Sequence, residues 1–354
     1  MEDFIVKDGV LVSYKGNGGD VVIPENLGIS EISNYAFAYP IGADENYPKI
    51  TSVVVPEGVE ILDDGAFQSS HIEKIILPAT LKKIGLRVFR DCTKLHDIDL
   101  PENLEEIGQE SFMHCENLLN IKIPKKISNI GTLSFNNCYS LNIDVSENPL
   151  FNYNSGILLD NEKNLISCTG KEQNVIIPEG TKIIPKEFFR HIETIENVQI
   201  PGTVNKIESG AFYQSLIKAI YIPNQVEKIG SQCFQQCGLL TSVMFEPNSK
   251  LKSIPRYAFN KCSSLMEISL PEGLCVIEQG AFDSCKSLRM IVIPENLQEI
   301  QKGAFWKCKN LENVVLPNKD IRISKQVFND CDSLSDEIKK QILELQIKTE
   351  KGLI

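Results

Sequence analysis

The stretch LPENLEEIGQESFMHCENLLNIKIP, from Leu100 to Pro124, opens on Leu-Pro and closes on Ile-Pro. It holds too many apolar residues for a loop, and their spacing fits neither a helix nor a simple strand alternation. The chain repeats this pattern, because ten of its seventeen prolines follow Ile, Val or Leu and have a phenylalanine eleven residues later. Those ten residues are Phe67, Phe89, Phe112, Phe135, Phe189, Phe212, Phe234, Phe282, Phe305 and Phe328. Neighbouring copies lie 22 or 23 residues apart, and looser copies end at Phe37 and Phe259.

This period predicts a solenoid, in which each repeat packs on its neighbours and cannot bury its apolar face alone. In the quoted unit, the strand LLNIKIP is expected to turn Leu118, Ile121 and Ile123 inward. Asn120 and Lys122 are expected on the exposed face. Proline ends the strand because it has no backbone N–H for the ladder. A turn and a short helical or irregular piece then bring the phenylalanine into a core shared by the stacked rungs.

The repeat pattern I-x-I/L-P-x-x-L-x-x-I-G-x-x-A-F-x-x-C-x-x-L closely resembles the BspA-like family of leucine-rich repeats. The stretch LPEGLCVIEQGAFDSCKSLRMIVIP, from Leu270 to Pro294, carries this pattern almost completely, and the match covers nearly the whole chain. The resemblance implies a curved, right-handed leucine-rich-repeat solenoid with a parallel β-sheet on the concave face and short helical or irregular convex segments. It also implies macromolecular recognition, because many proteins with these repeats are surface-located and associated with adhesion.

Two segments break the rhythm and resemble each other: FIVKDGVLVSYKGNGGDVVIPE (Phe4 to Glu25) and FNYNSGILLDNEKNLISCTGKEQNVIIPE (Phe151 to Glu179). Each predicts a β-hairpin that opens an array of repeats. The glycine-rich KGNGGD (Lys15 to Asp20) is interpreted as a hairpin turn and not as a phosphate loop, because no strand-to-helix switch surrounds it. The expected organisation is a hairpin cap at 1–23, a first array at 24–145, a hairpin insertion at 146–177, a second array at 178–334 and a capping helix at 335–354.

The carboxyl-terminal segment changes character. Ile338, Ile342 and Leu345 fall at the i, i+4 and i+7 positions of an amphipathic helix, and Ser335 or Asp336 is placed to cap its start. A terminal rung needs its open core covered, so this helix is expected to cap the solenoid. A partner-binding helix is the alternative.

Eight of the eleven cysteines lie three residues after a repeat phenylalanine: Cys92, Cys115, Cys138, Cys237, Cys262, Cys285, Cys308 and Cys331. Metal binding is the functional alternative, but one ligand per rung with parallel side chains does not build a tetrahedral site. The favoured interpretation is a column of small buried residues. Parallel side chains also disfavour disulfides between neighbouring rungs. No metal and no other cofactor is predicted.

Composition and motifs argue against several function classes. The chain of 354 residues is 42% hydrophobic with a formal net charge of −11, so it is globular and lacks the basic face that nucleic acid requires. No apolar run predicts membrane insertion. The four histidines stand on separate repeats, and neither H-E-x-x-H nor G-x-S-x-G occurs. The chain is therefore predicted not to be an enzyme.

The exposed face of the strands is the predicted contact surface, because solenoids usually bind there. Charged and polar residues alternate at these positions in the first array, whereas the second array carries apolar ones: Tyr221, Met244, Met290, Val292 and Val315. Adaptable methionines and other exposed apolar side chains are typical of protein-binding surfaces. The alternative is that tyrosine and valine simply favour strands.

Trp306, the only tryptophan, is a further candidate. It occupies the position just after the repeat phenylalanine, where other copies mostly carry polar residues such as Gln68, Arg90 and Asp283. Tryptophan is enriched among interface hot spots. The alternative, which is favoured, is that the ring lies over the next rung.

The sequence thus predicts a non-enzymatic solenoid that recognises another macromolecule, favouring a protein on a host or neighbouring cell, as an adhesin-like or cell-surface module. An intracellular scaffold is the alternative, since the start MEDFIVKDGVLVSYKG has no signal-peptide pattern and unpaired cysteines suit a reducing compartment. On that alternative, a chain complete as given would be cytoplasmic. Glycan binding is less favoured, because Tyr221 is the only aromatic residue on the exposed strand face.

Overall fold

The structure is a computed structural model that describes residues 3–40, 42 and 48–354. It divides into two compact units, Met1–Lys171 and Glu172–Ile354. The strands of the first unit are β1 (Phe4–Lys7), β2 (Val10–Tyr14), β3 (Gly19–Val22), β4 (Glu31–Ile32), β5 (Ile50–Val54), β6 (Ile61–Leu62), β7 (Lys74–Ile76), β8 (Lys83–Ile84), β9 (Asp97–Ile98), β10 (Glu106–Ile107), β11 (Asn120–Lys122), β12 (Asn129–Ile130), β13 (Asn142–Asp144), β14 (Phe151–Asn154), β15 (Ile157–Asp160) and β16 (Leu165–Cys168).

The second unit consists of further strands and one α-helix. These are β17 (Asn174–Ile176), β18 (Ile183–Ile184), β19 (Asn197–Gln199), β20 (Lys206–Ile207), β21 (Ala219–Ile222), β22 (Lys228–Ile229), β23 (Ser242–Phe245), β24 (Ser253–Ile254), β25 (Glu267–Ile268), β26 (Val276–Ile277), β27 (Met290–Val292), β28 (Glu299–Ile300), β29 (Asn313–Val315), β30 (Arg322–Ile323) and α1 (Asp336–Glu350). In the first unit, Glu25–Leu27 form a 3-10 turn.

Each rung contributes strands to two parallel ladders. The odd-numbered strands from β3 to β13 and from β17 to β29 run up to the repeat proline or its equivalent and form the long-strand ladders. The even-numbered strands, two residues each from β4 to β12 and from β18 to β30, form the short-strand ladders on the other side of the proline. Equivalent residues pair across neighbouring strands: Ile75 pairs with Ile98, and Ile84 pairs with Ile107. In-register stacking therefore builds columns of like residues.

A third side of each rung, which we call the turn segment, surrounds the repeat phenylalanine. The Phe67 N–H donates to the Val88 carbonyl (3.0 Å) and the Phe89 N–H to the Ser111 carbonyl (2.7 Å), so this side is also hydrogen-bonded from rung to rung. A helical piece was one expectation here, but the described turn segments contain no α-helix. From Phe67 onward, the residues two before and two after each repeat phenylalanine have positive φ, as Arg87 (58°) and Asp91 (61°) do around Phe89. Left-handed residues break the helical path and return the chain to the next rung.

The phenylalanines form the centre of the core, and the predicted leucine-rich-repeat solenoid is confirmed. Stacked rings lie 5.0–5.5 Å apart between centroids within each unit. The columns are Tyr14, Phe37, Phe67, Phe89, Phe112 and Phe135 in the first unit and Phe189, Phe212, Phe234, Phe259, Phe282, Phe305 and Phe328 in the second. Burying each ring between two others gives a large hydrophobic contribution per repeat.

The amino-terminal segment differs from the sequence interpretation in one respect. Strands β1 and β2 form an antiparallel hairpin whose turn is Asp8–Gly9, both residues with positive φ. The glycine-rich Lys15–Asp20 is therefore not the hairpin turn, because β2 joins the short-strand ladder beside β4 while β3 joins the long-strand ladder beside β5. The chain crosses from one ladder to the other through these glycines.

The mid-chain segment is a three-stranded antiparallel sheet, β14–β15–β16, and not a hairpin alone. Its last strand supplies the next turn-segment partner for the Phe135 rung. The Phe135 N–H donates to Ser167 Oγ (2.9 Å), and the Leu133 N–H donates to the Ile166 carbonyl (2.7 Å). The buried Asn136 side chain accepts from Ser167 Oγ (2.7 Å) and from the Cys168 N–H (3.0 Å). The sheet thus covers backbone groups that the next repeat would otherwise satisfy.

Helix α1 lies against β30, the last short strand. Ser335 caps its start, because the Ile338 N–H donates to Ser335 Oγ (3.3 Å). Ile342 is buried, and the Ile323 N–H of β30 donates to Thr349 Oγ1 (3.1 Å). The helix therefore supplies both an apolar cover and a hydrogen-bond acceptor to the terminal rung.

Candidate functional site

The long-strand ladder of the second unit presents the candidate surface. In each long strand the middle residue is buried, as Ile220, Val243 and Ile291 are. Its neighbours on either side point away from the core because successive side chains alternate across a strand. The flanking positions are consequently available for contact, and their side chains decide what the ladder can bind.

Five of the six predicted contact residues lie on long strands of the second unit, two in the β17–β25 sheet and three in the β27–β29 sheet. Tyr221 pairs with Met244 between β21 and β23, and Val292 pairs with Val315 between β27 and β29. Met290 lies opposite Asn313 at the start of the same two strands, β27 and β29. Trp306 does not lie on this ladder, because it belongs to a turn segment.

Met266 is an exposed apolar residue beside these strands that sequence reasoning missed. It stands one residue before β25, where equivalent positions carry Lys218, Thr241 and Arg289. A methionine among hydrophilic residues at one repeat position was the available signal. We call Tyr221, Met244, Met266, Met290, Val292 and Val315 the apolar strip. Their exposed fractions run from 46% to 54%.

Charged residues border the strip, and exposed Glu267 of β25 lies within it, paired with Ser242 of β23. Lys218 is paired with Glu196 (Nζ to Oε2, 2.7 Å) beside the first strands of the strip. Desolvation and the nearby negative charge of Glu246 raise the pKa of the Tyr221 phenol, so this side chain stays protonated and neutral at physiological pH. The strip therefore offers apolar side chains, one hydroxyl and a rim of charges.

The long-strand ladder of the first unit is more polar. Lys74 pairs with Asp97 (2.7 Å) and Lys122 with Glu147 (2.8 Å). The hydrogen bond and charge of Asp97 raise the pKa of Lys74, so this ladder keeps its ion pairs at neutral pH. Exposed Val22 and Ile76 also lie on it. They occupy the column position that Tyr221 occupies in the second unit, which makes them useful comparisons.

Trp306 is 41% exposed and is held to its turn segment by polar contacts. Its Nε1–H donates to Asp330 Oδ2 on the next rung (3.0 Å), and the Lys307 ammonium lies 4.3 Å from the ring centroid. The ring thus reaches toward the next rung while part of it remains accessible. It cannot extend the apolar strip, because the strand and the turn segment are different sides of a rung.

The column cysteines are buried, and their thiols form hydrogen bonds to backbone carbonyl groups. Each of the eight column thiols donates to the carbonyl of the phenylalanine in the preceding rung, at 2.9–3.2 Å. Burial raises the pKa of Cys92 and Cys138 to about 12, so these thiols remain protonated donors. All eleven cysteines are free. Within the described ranges, no group of three His, Cys, Asp or Glu side chains could hold a metal ion.

Two of the histidines pack against tyrosine rings. His71 contacts the Tyr39 ring edge-on (4.6 Å) and His191 contacts Tyr213 (5.7 Å). Burial and the positive charges of Lys49 and Lys94 lower the pKa of His71, which keeps it neutral at pH 7. These contacts are typical of packing.

Comparison with known proteins agrees with this geometry. A family model described as the BspA type leucine-rich repeat region matches residues 14–142, 162–251 and 245–348. A leucine-rich repeat protein from Eubacterium ventriosum is 24% identical, with a TM-score of 0.71, over 92% of this chain and 91% of that one. One from Bacteroides ovatus is 25% identical, with a TM-score of 0.60, over 93% of this chain and 90% of that one.

A third solved structure, the pneumococcal vaccine antigen PcpA, is 19% identical with a TM-score of 0.51, over 96% of this chain and 92% of that one. At this identity the similarity concerns the fold. A search of curated proteins finds no match. None of the helices in the described residues has the length and apolar character needed to cross a bilayer.

Proposed function

Because the chain belongs to the BspA-type leucine-rich repeat family, we propose that it is a non-enzymatic, adhesin-like module that binds a protein partner through the apolar strip. The fold itself is of the kind that serves as a protein-interaction module. The observation that carries the proposal is the strip: six apolar side chains, each about half exposed, on or directly beside the long strands β21 to β29 of the second unit.

The strip has the length and chemistry of a recognition surface. From Tyr221 to Val315 it crosses five rungs, which is about 19 Å at the usual spacing of roughly 4.8 Å between strands. Exposed methionines adapt their shape to a partner, and Tyr221 adds a rigid ring with a hydroxyl. Burying these side chains removes apolar surface from water, while the charged rim remains solvated.

The partner is expected to present apolar side chains with complementary polar groups around them. A net charge of −11 disfavours nucleic acid. A protein on a host or neighbouring cell fits the adhesin-like proposal. Protease shaving of intact producing cells tests the location, because a surface protein is cleaved before the cells lyse.

An intracellular scaffold is the second candidate, favoured by one observation: all eleven cysteines are free. Unpaired thiols are commonest in reducing compartments. The column thiols are also buried, which protects them from oxidation in an oxidising environment. Cell fractionation distinguishes the two candidates, since a scaffold stays with the cytosolic fraction and resists shaving.

The binding test changes the strip without touching the core. The double variant Tyr221→Ser with Met290→Ser removes two large exposed side chains, and hot-spot residues of this kind typically account for about tenfold or more in affinity. The matched control is Val22→Ser with Ile76→Ser, which changes two residues at least as exposed, on the long strands of the first unit. Immobilised wild-type and variant chains are compared for capture of surface proteins from candidate cells.

We expect the control to capture the same partner as the wild type and the strip variant to lose it. Thermal unfolding and circular dichroism check that all three chains are folded. Equal capture by the strip variant would show that binding uses another surface.

A further inference from the structure

The turn side of the second unit contains a notch that two glycines create. The left-handed position two residues before the repeat phenylalanine carries a side chain in several rungs, for example Glu187 and Gln232. Two successive rungs instead place glycine there, Gly280 (φ 62°) and Gly303 (φ 66°). The missing side chains leave a pocket of about 300 Å³, at the lower end of the range for small-ligand sites.

Two aromatic rings line this notch although they lie two rungs apart in the chain. The Tyr257 ring sits against Gly280 so closely that a Cβ at that position would lie 2.3 Å from the ring. Trp306 lines the pocket together with Gly303. A glycine is needed at 280 both for its backbone conformation and to admit the Tyr257 ring.

The rings are held in place by polar contacts. The Arg256 guanidinium lies 5.0 Å from the Tyr257 ring centroid, and Gln279 Nε2 donates to the Tyr257 hydroxyl (3.4 Å). Trp306 is fixed by its hydrogen bond to Asp330 (3.0 Å). Held rings lose little conformational entropy when a ligand binds, which favours affinity.

The polar groups around the rings suit hydroxyl groups. Lys302, Gln326 and Asn329 line the pocket, and in the described part of the chain their side chains have no protein hydrogen-bond partner. Together they offer amide and ammonium donors and two amide acceptors. Asp283 adds a carboxylate that balances the charge of Lys302, so the pocket does not select strongly for either sign of charge.

We propose that this notch binds a neutral carbohydrate. A pyranose ring has a face of C–H groups that packs on aromatic rings and a rim of hydroxyls that both donate and accept hydrogen bonds. The notch supplies the matching groups: two aromatic side chains, two uncommitted amides, an ammonium and a carboxylate. A phosphate would need more cationic groups, and a metal ion would need more than one carboxylate.

This site is separate from the apolar strip, because it lies on the turn segments and not on the long strands. The reason for disfavouring glycan binding considered the exposed strand face alone. Tyr257 and Trp306 lie on a different side of the rungs.

Trp306 provides a direct assay, since it is the only tryptophan in the chain and its emission reports on this notch alone. The intact protein is titrated with maltose, cellobiose, lactose and N,N′-diacetylchitobiose at millimolar concentrations. We expect a saturable change in tryptophan emission with at least one of them. Saturation-transfer NMR should show the sugar C–H protons nearest the protein.

Tyr257→Ala is expected to weaken the binding by about tenfold, which corresponds to the loss of one ring contact. It leaves Trp306, the reporter, in place. The matched control is Tyr213→Ala, which removes an aromatic residue at the same repeat position as Trp306 but four rungs earlier. The control should bind like the wild type, and unfolding temperatures confirm that both variants are folded.

Three outcomes would overturn the proposal: no saturable response to any of the four sugars, equal binding by folded Tyr257→Ala, or a response only to an apolar peptide. The strip variant Tyr221→Ser with Met290→Ser should retain the sugar response. Failure of the sugar site is therefore distinguishable from failure of the protein-binding proposal.

Discussion

The thiol of each column cysteine is a hydrogen-bond donor as well as a core side chain. Cys285 Sγ donates to the Phe259 carbonyl (3.1 Å), and this carbonyl also accepts the Cys262 N–H (3.0 Å). A carbonyl has two lone pairs, and the thiol reaches the second. At two positions of the same columns the chain has serine, Ser70 and Ser215, whose hydroxyls contact the thiol of the next rung. A small donor, and not merely a small apolar group, occupies this position in these rungs, whereas the Phe189 rung has buried Ile192 there.

Replacing Cys285 separates its role as a hydrogen-bond donor from its role as a core side chain. Cys285→Ser should keep the bond to Phe259, whereas Cys285→Ala loses it, so Ala should lower the free energy of unfolding by about 1 kcal/mol more than Ser. Urea-induced unfolding followed by circular dichroism measures the difference. If the cysteine were only an apolar filler, Ala would be the better tolerated replacement, and that order of stabilities would contradict the hydrogen-bond role.

At the scale of elements, the ends of each array are covered by non-repeat structure that reproduces what a neighbouring rung would provide. The sheet β14–β16 does so for the turn segment of the Phe135 rung, and α1 does so for β30. Backbone N–H and C=O groups left unpaired in a buried place are costly. These elements are therefore part of the folding unit, and the boundary between the compact units falls after Lys171, beyond β16.

A substitution at Asn136 tests how the sheet β14–β16 covers the Phe135 rung. Asn136→Ala leaves the Ser167 hydroxyl and the Cys168 N–H without their acceptor in a buried place, so we expect a loss of about 2–4 kcal/mol in the free energy of unfolding. Asn152→Ala is the control in the same sheet, because its bond to Asn161 is exposed. We expect it to cost less than about 0.5 kcal/mol.

Hydrogen exchange localises the effect. The amides of β16 should exchange faster in Asn136→Ala than in the wild type or Asn152→Ala. Similar protection in all three chains would mean that the sheet does not depend on this side chain.

Across the whole chain, stability in each unit comes from contacts between successive rungs. Phe259 has a ring on either side, at 5.1 and 5.3 Å from Phe234 and Phe282, and is fully buried. Phe328 ends the column 5.1 Å from Phe305 and is only partly buried. In such a one-dimensional stack, the energy of a side chain depends on how many neighbours it couples.

The position in the column should therefore set the cost of losing a ring. Phe259→Ala is expected to lower the free energy of unfolding by about 3–5 kcal/mol, as large-to-small core substitutions do. Phe328→Ala should cost roughly half as much, because it removes one stacking neighbour and less buried area. Denaturant titration of both variants measures this, and equal costs would contradict nearest-neighbour stacking.

Most of the candidate surface was predictable from local rules, and the rest was not. The period-2 alternation placed Tyr221, Met244, Met290, Val292 and Val315 on one exposed face. Met266 was not predicted, because it precedes the strand and the alternation of strand side chains does not apply to it. The Tyr257–Trp306 notch was not predicted, because the two residues occupy different repeat positions on rungs that are two apart.

The sequence by itself determined the repeat register, the phenylalanine columns and the exposed strand positions, because a fixed period and side-chain alternation repeat the same local geometry in every rung. The tertiary structure alone decided the hydrogen-bonded turn side, the thiol–carbonyl bonds, the turn at Asp8–Gly9 and the glycine notch. These features depend on which backbone groups of one rung meet those of the next, and that contact exists only after the rungs have stacked.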